Sequence, residues 1–112
     1  MDLINWNDFE KIDLRVGRIL EVNDFPEARK PAYILIVDVG PELGIRRSSA
    51  RITERYEKKE LVGKHIVGVV NFPVKQIGPF QSEFLVTGFY QSDGSVILAV
   101  PDKEAELGSR LG

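Results

Sequence analysis

Ile12, Leu14 and Val16 alternate with Asp13 and Arg15, the period of two expected of a half-buried strand. Gly17 interrupts the alternation, and Arg18 stands where the next inward residue belongs. Apolar positions resume at Ile19, Leu20 and Val22. A glycine inside a strand often marks a bulge or a bend, and one long strand bent in this way can serve two sheets. The stretch 12–22 therefore reads as the first strand of a small barrel; an ordinary edge strand is the simpler alternative. Before it, Asn5 can cap a short helix carrying Trp6, Phe9 and Ile12 at a spacing of three. Such a helix is too short to stand without a surface to pack on.

The same pattern predicts the remaining elements. YILIVDV (33–39) is apolar on both faces, as a central strand is. IRRSSAR (45–51) places Arg46, Ser48 and Ala50 on one face and Arg47, Ser49 and Arg51 on the other. The small residues suit a tight barrel interior, and Arg46 fits it only at the rim. Residues 52–61 read as one or two helical turns, with Ile52 and Tyr56 on one side, Thr53 as a cap and Gly63 as the stop. HIVGVVN (65–71) is a fourth strand, with Gly68 at a bend or a close contact. FPVKQIGPFQ (72–81) reads as an unusually apolar loop, SEFLVTGFY (82–90) as a fifth strand and 96–100 as a sixth after the turn SDGS.

Strand, strand, strand, helix, strand, strand contains no βαβ alternation, so a parallel sheet is not expected. A helix between strands three and four of five is the order of an OB-fold. The expected class is all-β with a short helix: a five-stranded OB-fold barrel with added N- and C-terminal elements, one domain over 1–112.

Composition narrows the function. The chain has 112 residues and no cysteine, which excludes zinc ribbons, disulfide frameworks and thiol chemistry. No apolar run approaches the roughly 20 residues of a membrane span, and MDLINWNDFEK lacks the basic-then-apolar pattern of a signal peptide. A cytoplasmic protein that does not insert into membranes is expected. The net charge of −2 hides an asymmetry. Residues 1–27 carry seven acids and three bases, whereas 45–64 carry seven bases and three acids. A solvated helix face is the plain explanation of that basic stretch. A local anion-binding surface is the other.

No catalytic constellation is found. His65, the single histidine, has no partner at metal-ligand or nucleophile spacing, and Ser48, Ser49 and Ser82 lack a nucleophile-elbow context. No phosphate loop, metal site or cofactor site is expected, and an enzyme is the least supported class. Binding remains. OB-folds bind across strands two and three and the flanking loops, where bases track phosphates and aromatics stack. Lys30, Arg46, Arg47, Arg51 and Lys75 are the candidate bases, with Ser82 as a hydrogen-bond partner. Phe72, Val74, Ile77, Phe80 and Phe84 are candidates for an apolar groove, core packing being the competing fate of each. Trp6 and Phe9 near one terminus and Leu107 and Leu111 near the other are more apolar than a lone barrel needs, which suggests a two-fold dimer.

Five motifs in order, DLRVGRI (13–19), PEARKPAY (26–33), SSARIT (48–53), LVGKHIVGVVNF (61–72) and FQSEFLVTG (80–88), resemble the CsaA family of bacterial export-related chaperones. That family is related to the tRNA-binding domains appended to methionyl- and phenylalanyl-tRNA synthetases. The resemblance implies an OB-fold homodimer that binds exposed apolar segments of unfolded or export-bound polypeptides, and tRNA as well; a tRNA-binding accessory module is the alternative. The tRNA-binding domains often carry Ser-x-Gly-Met where this chain has Ser82, Glu83, Phe84 and Leu85. Ser82 matches, Phe84 and Leu85 replace Gly and Met, and Glu83 adds an acid that disfavours RNA. An acid after this serine is also the tendency of the chaperone relatives.

Overall fold

The computed structural model describes all 112 residues. The elements are α1 (Trp6–Glu10), β1 (Leu14–Asp24), β2 (Tyr33–Asp38), α2 (Gly40–Leu43), β3 (Ile45–Ala50), α3 (Lys58–Leu61), β4 (His65–Val69), β5 (Lys75–Ile77), β6 (Phe80–Ser82), β7 (Leu85–Val86), β8 (Gly88–Tyr90) and β9 (Val96–Leu98). Five strands form an antiparallel sheet in the order β3-β2-β1-β4-β7, and the pairs β5-β6 and β8-β9 stand beside it. The sheet curls into a near-closed OB-fold barrel.

β1 is shared as its length suggests. Leu14–Arg18 pair with β4, and Arg18–Asp24 pair with β2. The bulge, however, lies at Leu20, which the register skips between Ile19 and Glu21. Gly17 serves a different need, since a Cβ there would lie 2.5 Å from Val37 Cγ1. The inward face is Gly17 and Ile19, and the bulge brings Val22 back to it. Leu14, Val16 and Arg18 therefore share the opposite face. Arg18 is not misplaced in the core: it reaches out to Glu104 at 3.3 Å and to His65.

Three of the expected elements differ. Only Lys58–Leu61 of 52–61 is helical. Its cap is not Thr53: Glu57 N donates to the Glu60 side chain at 2.7 Å, and Glu60 N donates to Glu57 O at 3.2 Å. The apolar loop 72–81 contains the hairpin β5–β6, with Ile77 opposite Phe80. The long fifth strand is broken into β6, β7 and β8, because its residues pair in turn with β5, β4 and β9.

The main core gathers Ile19, Leu35, Val37, Val39, Ile52, Leu61, Ile66, Val70, Phe84 and Leu98. Leu61, fully buried, carries α3 onto this core, and the Tyr56 hydroxyl accepts the Leu98 amide at 3.0 Å. A second, smaller cluster of Phe25, Ala32 and Phe80 fastens the loop after β1 to the hairpin β5–β6. The C-terminal segment lies along the free edge of β1. Gly108 N donates to Val16 O at 2.8 Å and Leu111 N donates to Leu14 O at 2.9 Å.

Candidate functional site

The barrel closes between β3 and the link from β6 to β7, and of the candidate bases Arg47 takes part in this seam. Glu83 N donates to Arg47 O at 2.8 Å, one ordinary ladder bond. The reciprocal bond is made by a side chain, because Arg47 N donates to Glu83 Oε1 at 3.0 Å. Arg47 Nε lies 3.4 Å from the same oxygen, and the guanidinium stands 5.3 Å from the centre of the Phe80 ring. Two residues on along β3, Ser49 N donates to the Ser82 hydroxyl at 3.4 Å, and that hydroxyl donates to Phe84 O.

These bonds sort the residues named from the sequence. Ser82 is buried and its hydroxyl is committed to the seam, so it is no free partner for RNA. Arg46 sits at the rim, where its Nη1 donates to Val70 O at 3.0 Å; it is half-buried and turned away from Arg47 by the alternation of β3. Arg47 is exposed but paired. Lys30, Arg51 and Lys75 are exposed and form no ion pair. Lys75 is opposite Ser82 in the hairpin β5–β6, while Ala50, just before Arg51, is opposite Tyr33, where the Lys30 loop ends.

The apolar set divides in the same way. Phe80 and Phe84 are only 6% and 4% exposed, so neither lines an open groove. Phe84 fills the main core against Gly68, and Phe80 packs on Phe25 with ring centres 5.4 Å apart. The smallness of Gly68 admits the Phe84 ring, and the Phe25 ring covers Phe80, so two residues expected in a groove are lost to cores. Phe72 and Val74 remain more than half exposed, and Ile77 is half-buried. Further exposed apolar residues, not expected from the sequence, are Leu85, Phe89, Tyr90 and Ile97, of which Phe89 and Ile97 are directly opposite each other. Their signal is present in the doublets Leu85–Val86 and Phe89–Tyr90, where alternation alone would bury one member and expose a polar one.

The terminal residues converge in part. Trp6, Phe9, Ile12 and Leu111 line one open depression of ≈170 Å³, and the Trp6 and Phe9 rings are 5.5 Å apart. Leu107 is not among them; its carbonyl packs on Gly40. Polar bonds lock this end. Asn71 Nδ2 donates to Lys11 O, Arg110 Nη2 donates to Glu10 O, and Arg15 Nη1 donates to Gly108 O. Arg15 Nε also donates to Asp13 Oδ1 at 2.6 Å, and this bond holds the Asp13 carboxyl below its ordinary range despite partial burial.

No group of three or more His, Cys, Asp or Glu is placed to hold a metal ion. His65 meets Arg18 through Nε2 at 3.2 Å and its Nδ1 is buried without a partner. Nothing in this arrangement activates a nucleophile; what it exposes are unpaired bases and apolar side chains.

Comparison with known proteins agrees with that chemistry. The family model described as "Putative tRNA binding domain" matches residues 14–110. The structure of a CsaA chaperone protein from Picrophilus torridus superposes with a TM-score of 0.92 at 52% identity, covering 98% of this chain and 100% of that one. The chaperone CsaA of Bacillus anthracis gives a TM-score of 0.93 at 43% identity, over 99% and 100% of the two chains. The chain belongs to the CsaA family of tRNA-binding domains. Methionine–tRNA ligases are relatives too: that of Thermococcus kodakarensis is 37% identical over 99% of this chain. The chain spans only 14% of that enzyme's length. The CsaA likeness, by contrast, is end to end, with the barrel, α1 and the C-terminal segment all included.

Proposed function

We propose that this CsaA-family chain is a cytoplasmic homodimeric chaperone that holds exposed apolar segments of unfolded or export-bound polypeptides. The observation that carries the reading is the end-to-end match with two chaperones at 52% and 43% identity. Phe72 and Val74, exposed beside the hairpin β5–β6, supply apolar surface of the kind such segments bind. Suppression of aggregation tests it directly: light scattered by a chemically denatured client is followed as the protein is added. Phe72→Ser with Val74→Ser should weaken suppression without moving the melting temperature, because neither side chain is in a core. A parent protein that leaves aggregation unchanged in stoichiometric excess sinks the reading.

A second reading, weak tRNA binding, is favoured by the family match and the methionine–tRNA ligase relatives. The free bases Lys30, Arg51 and Lys75 support it. Phosphate neutralisation of this kind makes log affinity fall with log salt by about 0.7 per neutralised phosphate for single strands. Lys75→Glu should lower the affinity and flatten the slope; binding that persists at high salt contradicts the electrostatic mechanism.

A further inference from the structure

We propose that Glu83 sets the ligand preference of the seam, by occupying Arg47 with an internal carboxylate and so excluding the phosphates of RNA. The inference rests on the tRNA-binding reading and says which residue limits it. A guanidinium recognises phosphate through a fork of two parallel N–H donors. In this chain one edge of the fork is already faced by a carboxylate, at 3.4 Å from Nε. The guanidinium is held in that position from a second side by the Phe80 ring, itself buried. The competitor cannot drift away. Glu83 is bonded through its own amide to Arg47 O, and its Oε1 also accepts the Arg47 amide. A group tethered in this way acts at a high effective concentration that a free phosphate must overcome. The ion pair is half exposed and intrinsically weak; its effect comes from the tether and from charge. With Arg47 neutralised, the seam suits an uncharged stretch of polypeptide better than a polyanion.

Glu83→Gln separates the two duties of the side chain. The glutamine oxygen still accepts the Arg47 amide, so the barrel should stay closed and its melting temperature should move by only a few degrees. The charge is gone, and Arg47 becomes available. In salt titrations with tRNA, E83Q should bind several-fold tighter than the parent at low salt. Its log–log slope should steepen by about 0.7 for each further single-strand phosphate that is neutralised. Adding Arg47→Gln to E83Q should return both values to those of the parent. If E83Q does not fold, Arg47→Gln in the parent background decides: a masked arginine predicts little change in affinity or slope, whereas Lys75→Glu lowers both. Parent binding that is sensitive to K75E, with no increase in E83Q, overturns the role of Glu83 and leaves the RNA reading standing. An increase that survives in the double variant also overturns it, since the effect would then be one of net charge. Absence of binding by parent and E83Q at low salt removes both the proposal and the reading beneath it.

Discussion

Gly68 and Phe84 share the room of one ordinary pair of side chains. A Cβ at Gly68 would lie 2.7 Å from two carbons of the Phe84 ring and 3.0 Å from Leu85 O. Gly68→Ala is therefore expected to destabilise the barrel by about 1–3 kcal/mol, the usual cost of overpacking, as read by urea denaturation. Phe84→Leu in the G68A background should recover part of that loss, and simple additivity of the two changes would show that they do not meet. Asp13 gives a residue-scale prediction in pH. Its carboxyl is held below the ordinary carboxylate range by the Arg15 bond. A depressed folded value means stability that is present above the unfolded pKa and lost as pH falls through the folded one. Asp13→Asn should thus be less stable than the parent near neutrality, and the gap should close in acid; a gap independent of pH would show that the bond contributes no linkage. At this scale the sequence is least legible. Glu83 reads there as an acid repelling RNA across a groove, whereas in the fold it completes a ladder with Arg47, 36 positions away. Local spacing carries no trace of such a partner, because the pairing is made only when the barrel closes.

The small cluster of Phe25, Ala32 and Phe80, with Ala28, Ile34 and Ile77 packed against it, joins two connections that would otherwise be independent. It is separate from the main core, so it should open separately as well. Phe80→Ala removes the ring that meets Phe25 and supports Arg47, and should cost about 3 kcal/mol for a buried phenylalanine. Hydrogen exchange should then quicken in β5, β6 and the loop 25–32 while β1, β2 and β4 remain protected. A uniform loss of protection would mean that the two clusters behave as one. From the sequence Phe80 is a groove candidate, and the reason lies in the same segment. Pro73, Gly78 and Pro79 are strong loop signals, and a three-residue strand is too short to show a period between them. Where an element is long, alternation suffices: β1, β2 and β3 lie within two residues of their expected bounds. Even the bulge is written in β1, as the apolar spacing of three between Ile19 and Val22, but Gly17 is the louder signal nearby.

At the scale of the molecule the unsatisfied part is the end that holds α1. This helix has five residues, none buried, and Trp6 is 63% exposed. A helix of that length gains nothing from propensity and needs tertiary contact to persist. What fixes it here is a set of polar bonds at its C-terminal end, to Asn71 and Arg110. Those bonds present the apolar side chains to solvent and do not bury them. The C-terminal segment behaves alike, tied by its backbone to β1 while Leu111 stays 44% exposed. Trp6, Ile12 and Leu111 thus form one apolar surface on a rigid support, which suits a second copy of the chain. The proposed homodimer should bury on the order of 2,000 Å² or more if it is obligate, with a melting temperature that rises with protein concentration. Trp6→Glu combined with Leu111→Glu should give a monomer by light scattering with its barrel intact, since neither side chain enters either core. A parent that is monomeric at micromolar concentration would sink the homodimer, whereas a double variant that remains dimeric would place the partner surface elsewhere. The exposed pair Phe89 and Ile97 would then be the next to test by the same substitutions. The outcome also bears on binding. A dimer carries two seams and two copies of Phe72 and Val74, and one unfolded chain long enough to reach both is held by avidity that neither site has alone. The monomeric variant should then lose more capacity to suppress aggregation for long clients than for short apolar peptides.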